Sequence, residues 1–448
     1  MAQEGLIALL SWLQVLQPAF TQPGFANMVV LFTGWVRTNG PHAVTQALVF
    51  AEVAGHRHHE AFHRFFSRGA WEPDQLGRLL FQLIVRMLPE ESAVPVVVDD
   101  TVAPKKGPHI FGLGSHLDAV RSTKRRKVFC FGHCWVVLAV LMSFPFSRRT
   151  WALPVLFRLY RNKKECAAKG HPYRKKTELA RETLDVLLSW TGGRRVELTA
   201  DLAYCNSTVM RGLPESIILI GAMRPDAVLT APPPRCRGQG GGRLGKRSQL
   251  LPKPQVLADD ERHPWQSCEV ETYGERRTVQ FKSFCAQWYR ACGERLLRIV
   301  IVQTEQGSLK FRVFFSTDST HSVLQIIEGY AGRWAIEVCF RDIKQLLGFA
   351  DSSARKQNAV ERVAPFVGFM YTLLVLWFAT GAYQAPFAAP PVRPWYRHKD
   401  GLSFADILRA AQRVLATFDV LDPDNVFNTF NIPYPVPFPS EGRLRRVA

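Results

Sequence analysis

Three runs between residues 94 and 162 constrain the fold of this chain more than any other feature. "VPVVVDD", "KVFCFGHCWVVLAVLMSF" and "TWALPVLFRLYRN" are dense in β-branched and aromatic residues, the composition of strands in a pleated, buried sheet. An amphipathic helix, "TELARETLDVLLSW", follows them, and "RRVELTAD" and "ESIILIG" then return to strand character. Strands first, then strands alternating with a helix, predict a mixed α/β sheet.

The flanks read differently. Residues 1–92 carry apolar residues at three- and four-residue spacing in "GLIALLSWLQVL" and "PDQLGRLLFQLIVRML", which predicts a helical domain. Its basic and aromatic stretch "HRHHEAFHRFFSRGAW" suits a DNA-binding role. Residues 93–224 form the first part of the expected core. A Pro-, Gly- and cation-rich stretch, "RPDAVLTAPPPRCRGQGGGRLGKRSQLLPKPQ", then opens an inserted β-rich subdomain over residues 225–316, with strands in "RTVQFKSFCAQWY", "LLRIVIVQT" and "LKFRVFFST". The core resumes over residues 317–383. Residues 384–448 read as a Pro-rich peripheral tail with one helix around "FADILRAAQRVLATF". The uncharged "FVGFMYTLLVLWFATGAY" is close to membrane-spanning length, but a helix inside a large core has the same composition, and burial is expected, without a membrane partner.

Charge points to a polyanionic partner. The chain holds 57 Lys and Arg against 38 Asp and Glu, a formal net charge of +19, which suits nucleic acid, with an anionic membrane surface as the rival. Nine scattered cysteines without paired zinc spacing fit reduced thiols, and the opening residues lack a basic region and a cleavage site; a cytoplasmic, nucleoid-associated protein is expected. "CFGHC", Cys130 to Cys134, reads as packing. "HEAFH", His59 to His63, has the spacing of a zinc site, but it lacks a third ligand, and Arg57 and Arg64 oppose a dication. "GGGRLGKR" resembles a phosphate loop, yet Arg247 stands where a hydroxyl is needed; a basic loop on DNA is the expected role.

Carboxylates carry the chemistry. Asp99 and Asp100 end one strand and Asp201 another, and acids at the carboxyl ends of neighbouring strands can converge. In "YAGRWAIEVCFRDIKQLLGF" a helical projection from Tyr330 places Arg333, Glu337 and Lys344 within about 60° of it, with Asp342 turned away by about 120°. Ile336, Cys339, Phe340, Ile343 and Leu347 form an apolar stripe to anchor the helix. Asp318 is the expected N-cap and Gly348 the stop. Three hard oxygen donors suit Mg²⁺, and Lys105 and Lys106 could hold phosphates beside them. The plainer alternatives are a strand-ending turn at Asp99 and Asp100, a helix cap at Asp201, and exposed four-residue ion pairs among Arg333, Glu337 and Arg341.

The spacing of Tyr330, Arg333, Glu337 and Lys344 resembles the Tyr-Arg-Glu-Lys signature of insertion-sequence family four, bacterial cut-and-paste transposases of the DDE class. "DDT" followed by "PKKG" is similar to the first-acid motif of one branch, and "TAD" to the second. The resemblance implies a ribonuclease-H-like core with a β-rich insertion and an N-terminal DNA-binding region. It also implies Mg²⁺, with Mn²⁺ able to substitute, and a homodimer assembled with double-stranded element ends and target DNA. Asp100, which precedes Thr in the motif, is the implied first carboxylate, joined by Asp201 and Glu337; Tyr330, Arg333 and Lys344 are the implied DNA contacts. Trp265 and Trp288 are the candidates for a base-stacking tryptophan of the insertion.

Overall fold

The structure is a computed structural model that describes residues 2–118, 121–123, 125–232, 249–272, 274–303, 310–392 and 401–421. Five helices come first: α1 (Ala2–Gln14), α2 (Gln22–Arg37), α3 (Val44–Phe50), α4 (Glu60–Ser67) and α5 (Pro73–Arg86). Strands β1 (Val94–Pro104), β2 (Gly114–Leu117), β3 (Phe129–Ser143) and β4 (Thr150–Tyr160) lead to α6 (Lys163–Lys169), α7 (Lys176–Trp190), β5 (Val196–Ala200), the short α8 (Ser207–Met210) and β6 (Ile217–Met223). Then come α9 (Pro254–Asp259), β7 (Gln266–Thr272), β8 (Glu275–Gln287), α10 (Tyr289–Cys292), β9 (Leu296–Gln303) and β10 (Phe311–Ser316). Helices α11 (Val323–Gly332), α12 (Trp334–Leu346), α13 (Gln357–Ala379) and α14 (Phe404–Leu415) complete the described chain.

The centre of the sheet has the order β4-β3-β1-β5-β6. β3 is antiparallel to β1 and β4, whereas β5 runs parallel to β1 and β6 parallel to β5. This is the ribonuclease-H-like arrangement within a mixed α/β fold. The strands of the segment expected as an inserted subdomain do not form a separate sheet. β10 pairs antiparallel with β6 and is followed outward by β9, β8 and β7, so one ten-stranded sheet results. An unpaired β6 would leave a row of backbone donors and acceptors open, and β10 satisfies it.

Helical packing makes the N-terminal region and the core continuous. Trp35 Nε1 donates to the carbonyl of Leu347 at 2.9 Å, and Trp12 Nε1 to Thr380 Oγ1 at 3.2 Å. In the most apolar eighteen-residue window of α13 every residue is buried, and Thr372 Oγ1 on this helix donates to the Pro154 carbonyl of β4 at 2.9 Å. By length and composition α13 could cross a membrane; here protein surrounds it. α14 is not peripheral. Its Phe404, Ile407, Ala411, Val414 and Leu415 are buried, because their three- and four-residue spacing makes one apolar stripe, and Gln412 Nε2 reaches the Val36 carbonyl at 2.9 Å.

Candidate active site

Register decides which acids meet. Val98 of β1 lies opposite Ala200 of the parallel β5, the last pair of that ladder, so Asp99 and Asp201 follow directly where the two strands part, and Asp201 adds to the electrostatic pressure on Asp99. Side chains alternate along a strand, so Asp100 projects from the other face.

The face that carries Asp99 is covered by α11 and α12. α11 begins in a capping box in which Ser322 accepts from Gln325 N and the Gln325 side chain accepts from Ser322 N. The expected cap, Asp318, instead accepts from Thr320 N at 2.9 Å, four residues earlier than the observed one. The single helix expected from Tyr330 onward is divided at Arg333. Arg333 N donates to Tyr330 O at 3.1 Å and Ile336 N to Arg333 O at 3.1 Å, the tight three-residue bonds of a helix joint. That joint turns residues of both helices toward the acids.

Four of the expected residues form one network there with Asp99. Arg333 donates through Nη1 to Asp99 Oδ2 at 2.9 Å and through Nη2 to Glu337 Oε1 at 2.7 Å. Tyr330 donates its hydroxyl to Asp201 Oδ1 at 3.3 Å, and the Arg333 guanidinium lies 5.8 Å from the centre of the Tyr330 ring. Burial pushes the pKa of Asp99 up to about 7; Arg333 and the hydrogen bond that Asp100 N donates to Asp99 Oδ1 at 2.8 Å oppose the rise, while the charges of Asp100 and Asp201 add to it. Burial works against the charge on Arg333, but Asp99, Tyr330 and Glu337 outweigh it and raise its pKa. The Nε of Arg333 is buried and finds no acceptor among the described residues.

Asp100 belongs to a different cluster, contrary to the expectation that it joins Asp201 and Glu337. It accepts from Lys176 Nζ at 2.6 Å, from the Tyr204 hydroxyl at 2.7 Å and from Cys134 Sγ at 3.4 Å. Burial first, and then Asp100, push the Cys134 thiol up to about 12. The motif, by the Thr that follows Asp100, pointed to the second aspartate; the pairing of β1 with β5 and the position of α12 bring the first one to Arg333.

The expected cations are placed variously. Lys344 is half-buried, and burial lowers its pKa against the pull of Asp118 and, more weakly, Asp100. Lys105 donates to the Ser352 carbonyl just beyond α12, and burial brings its pKa down to about 8. Lys106 is exposed. Trp265 lies under Lys282 Nζ, 4.8 Å from the ring centre, and Trp288 packs edge-on to Phe315; both are half-buried. In "CFGHC", His133 shares a hydrogen bond with the Phe111 carbonyl at 2.9 Å, and in "HEAFH" Glu60 pairs with Arg64 at 2.7 Å. The phosphate-loop-like stretch lies outside the described residues.

Two groups escaped the sequence. Asp342, projected away from the signature face, is buried and paired with Arg149 at 3.3 Å, while Arg149 stacks 3.9 Å from the Trp151 ring. Its angle of about 120° borders the apolar stripe, which was the available signal. Lys176 carried none, because α7 and β1 are joined only by the tertiary fold.

As a donor set, Asp99, Asp201 and Glu337 suit a hard divalent ion, all three being carboxylates. Among the described residues no three His, Cys, Asp or Glu side chains stand close enough to hold one, and the guanidinium of Arg333 joins two of these carboxylates instead.

An aspartate in one strand, another just past the end of its neighbour and a glutamate on a covering helix are carried by a chain with known relatives. The family described as DDE superfamily endonuclease matches residues 20–281, more than half of the chain. The chain belongs to the DDE superfamily. This DDE protein is also similar, over residues 286–379, to the family of the archaeal putative transposase ISC1217, a stretch that includes α11, α12 and Glu337. No curated protein matches it. Among solved structures it is similar to a piggyBac transposase synaptic complex with hairpin DNA, at 10% identity and a TM-score of 0.43, over 88% of this chain and 71% of that one. That likeness is too distant to argue from.

Proposed function

We propose that this DDE protein is a DNA transposase that cuts the ends of a mobile element and joins the freed 3′-hydroxyl to target DNA by metal-dependent phosphoryl transfer. The observation that carries the reading is the network of Asp99, Arg333, Glu337, Tyr330 and Asp201 on one face of a ribonuclease-H-like sheet. Asp99, Asp201 and Glu337, which in this arrangement are too far apart to hold an ion together, are the proposed carboxylates for Mg²⁺ or Mn²⁺ once DNA and metal draw Arg333 away from them. An ion held by these residues would supply neutralisation of the charge that develops on a phosphodiester's oxygens. Asp99 takes the role that the motif alone gave to Asp100. Arg333 and Tyr330 orient Glu337 and Asp201, and with Lys344 and Lys106 they place positive charge and hydrogen-bond donors along a phosphate backbone. Lys105, tied to Ser352, positions the loop after α12.

The same reading takes Tyr330, Arg333, Glu337 and Lys344 as the signature of insertion-sequence family four. It assigns the N-terminal helices to element-end recognition, a homodimer to the working complex and the cytoplasm to its location. The test is cleavage of labelled element ends with Mg²⁺ or Mn²⁺, read on a denaturing gel. Asp99→Asn, Asp201→Asn and Glu337→Gln are expected to abolish cutting and keep DNA binding, whereas Asp100→Asn retains metal-dependent cutting. Normal cutting by Asp99→Asn would overturn the assignment. Pre-cut ends that are never joined to target would reduce the activity to that of a nuclease.

A further inference from the structure

The hairpin of β2 and β3 carries apolar side chains where a soluble edge normally carries charge. Phe129 and Phe131 are each 64% exposed and Leu117 is 46% exposed. Leu117 lies opposite Phe129, so the three occupy one face of the hairpin. Arg125, Arg126 and Lys127, all exposed, immediately precede them.

This face is the one that bears the candidate active site. The pairing of β1 with β3 is unbroken from Val96 opposite Val140 to Pro104 opposite Gly132, and Asp99 lies opposite Val137. By strand alternation Phe131 and Phe129 project on the same side as Val137, and therefore as Asp99. Phe131 precedes Val137 by six residues, a distance of about 20 Å at roughly 3.3 Å per residue. Along a nucleic-acid strand that is about six nucleotides at 3.4 Å each.

We propose that this hairpin is a second DNA contact, in which Arg125, Arg126 and Lys127 hold phosphates and Phe129, Phe131 and Leu117 press against unstacked bases about six nucleotides from the scissile bond. The proposal rests on the functional reading above. Aromatic rings beside cations are how proteins hold unpaired bases without reading sequence, and Phe and Leu are also the side chains that wedge between base steps. Charge favours DNA as the occupant, since the chain carries +19 and three cations adjoin the rings. A second copy of the chain is less suited, because three side chains fall far short of the roughly 800 Å² that a stable interface buries on each partner.

The test uses the full chain with a chelator, so that no cleavage interferes, and two labelled duplexes of one sequence. One is fully paired and the other has a short internal bubble containing 2-aminopurine. The native protein is expected to bind the bubble about ten-fold more tightly and to change the fluorescence of the 2-aminopurine. Phe129→Ser with Phe131→Ser loses that preference and the fluorescence change but keeps the salt dependence. Arg125→Gln with Arg126→Gln and Lys127→Gln weakens both duplexes alike and lowers the salt slope by about two to three. Because these side chains are exposed, the variants should fold, as circular dichroism would check. A Phe variant that still prefers the bubble overturns the proposal, as does one whose only defect is in self-association or in binding anionic vesicles. Absence of salt-dependent DNA binding by the native protein would overturn the functional reading itself.

Discussion

Replacing Arg333 with Met tests the electrostatic logic of the site in the metal-free protein. Arg333 and Asp99 are 14% and 18% exposed, with 2.9 Å between Nη1 and Oδ2. If their charge centres lie about 4 Å apart in an effective dielectric of about 20, the attraction is about 4 kcal/mol. Desolvation of both groups offsets about half of that, which leaves a coupling of about 2 kcal/mol. Glu337, at 36% exposed, contributes no more than about 1 kcal/mol through the same guanidinium. Arg333→Met alone should cost about 3 kcal/mol, since it leaves Asp99 buried without its cation. The measurement is a double-mutant cycle with Asp99→Asn, read by urea unfolding above the Asp99 pKa of about 7 with unchanged m-values. There Asp99 is ionised in the native protein; Arg333→Met raises its pKa further, so the cycle is read at a series of higher pH values until the variant's stability no longer changes with pH. Additivity of the two substitutions within about 0.5 kcal/mol would refute the bridge.

Two other outcomes follow from the fold. His133 is buried, and burial chiefly lowers its pKa from 6.5 to about 4. The unfolded chain therefore binds the proton first, so this contribution to stability is complete above about pH 6.5 and is lost as pH falls toward 4. The loss approaches about 3 kcal/mol, and His133→Gln should flatten the stability curve across that window, as chemical unfolding at a series of pH values would show. At Gly77 of α5 an added Cβ would sit 1.9 Å from the Val155 carbonyl oxygen of β4. Gly77→Ala should therefore cost about 2 kcal/mol or more in thermal unfolding, while Gly55→Ala, which meets nothing within 4 Å, should be neutral within about 0.5 kcal/mol.

What could be read without coordinates followed from periodicity and composition. The runs that became β1, β3 and β4, the apolar stripe of α12 and the long buried α13 are local patterns, and local patterns survive in one dimension. Asp201, Glu337, Tyr330 and Arg333 were legible as a set because a strand end and a helix face fix where side chains point. The inserted segment was legible as strands but not as an extension of the sheet, because a strand's partner is chosen by whichever edge is open. α14 read as amphipathic, but its stripe says only that it docks, not where.

The choice between Asp99 and Asp100 marks the boundary most sharply. Adjacent strand residues differ by half a turn, so an error of one position moves a carboxylate from one face of the sheet to the other. The motif, read through the Thr101 that follows it, points to Asp100, the residue on the other face. Only the alignment of Val98 with Ala200, and the packing of α11 and α12 over one face, send Asp99 toward Glu337 and leave Asp100 with Lys176 and Tyr204. The chain thus specifies by itself that acids, cations and an amphipathic helix carrying Glu337 exist. Which of them touch is settled by long-range pairing, a property of the folded sheet that no short stretch contains.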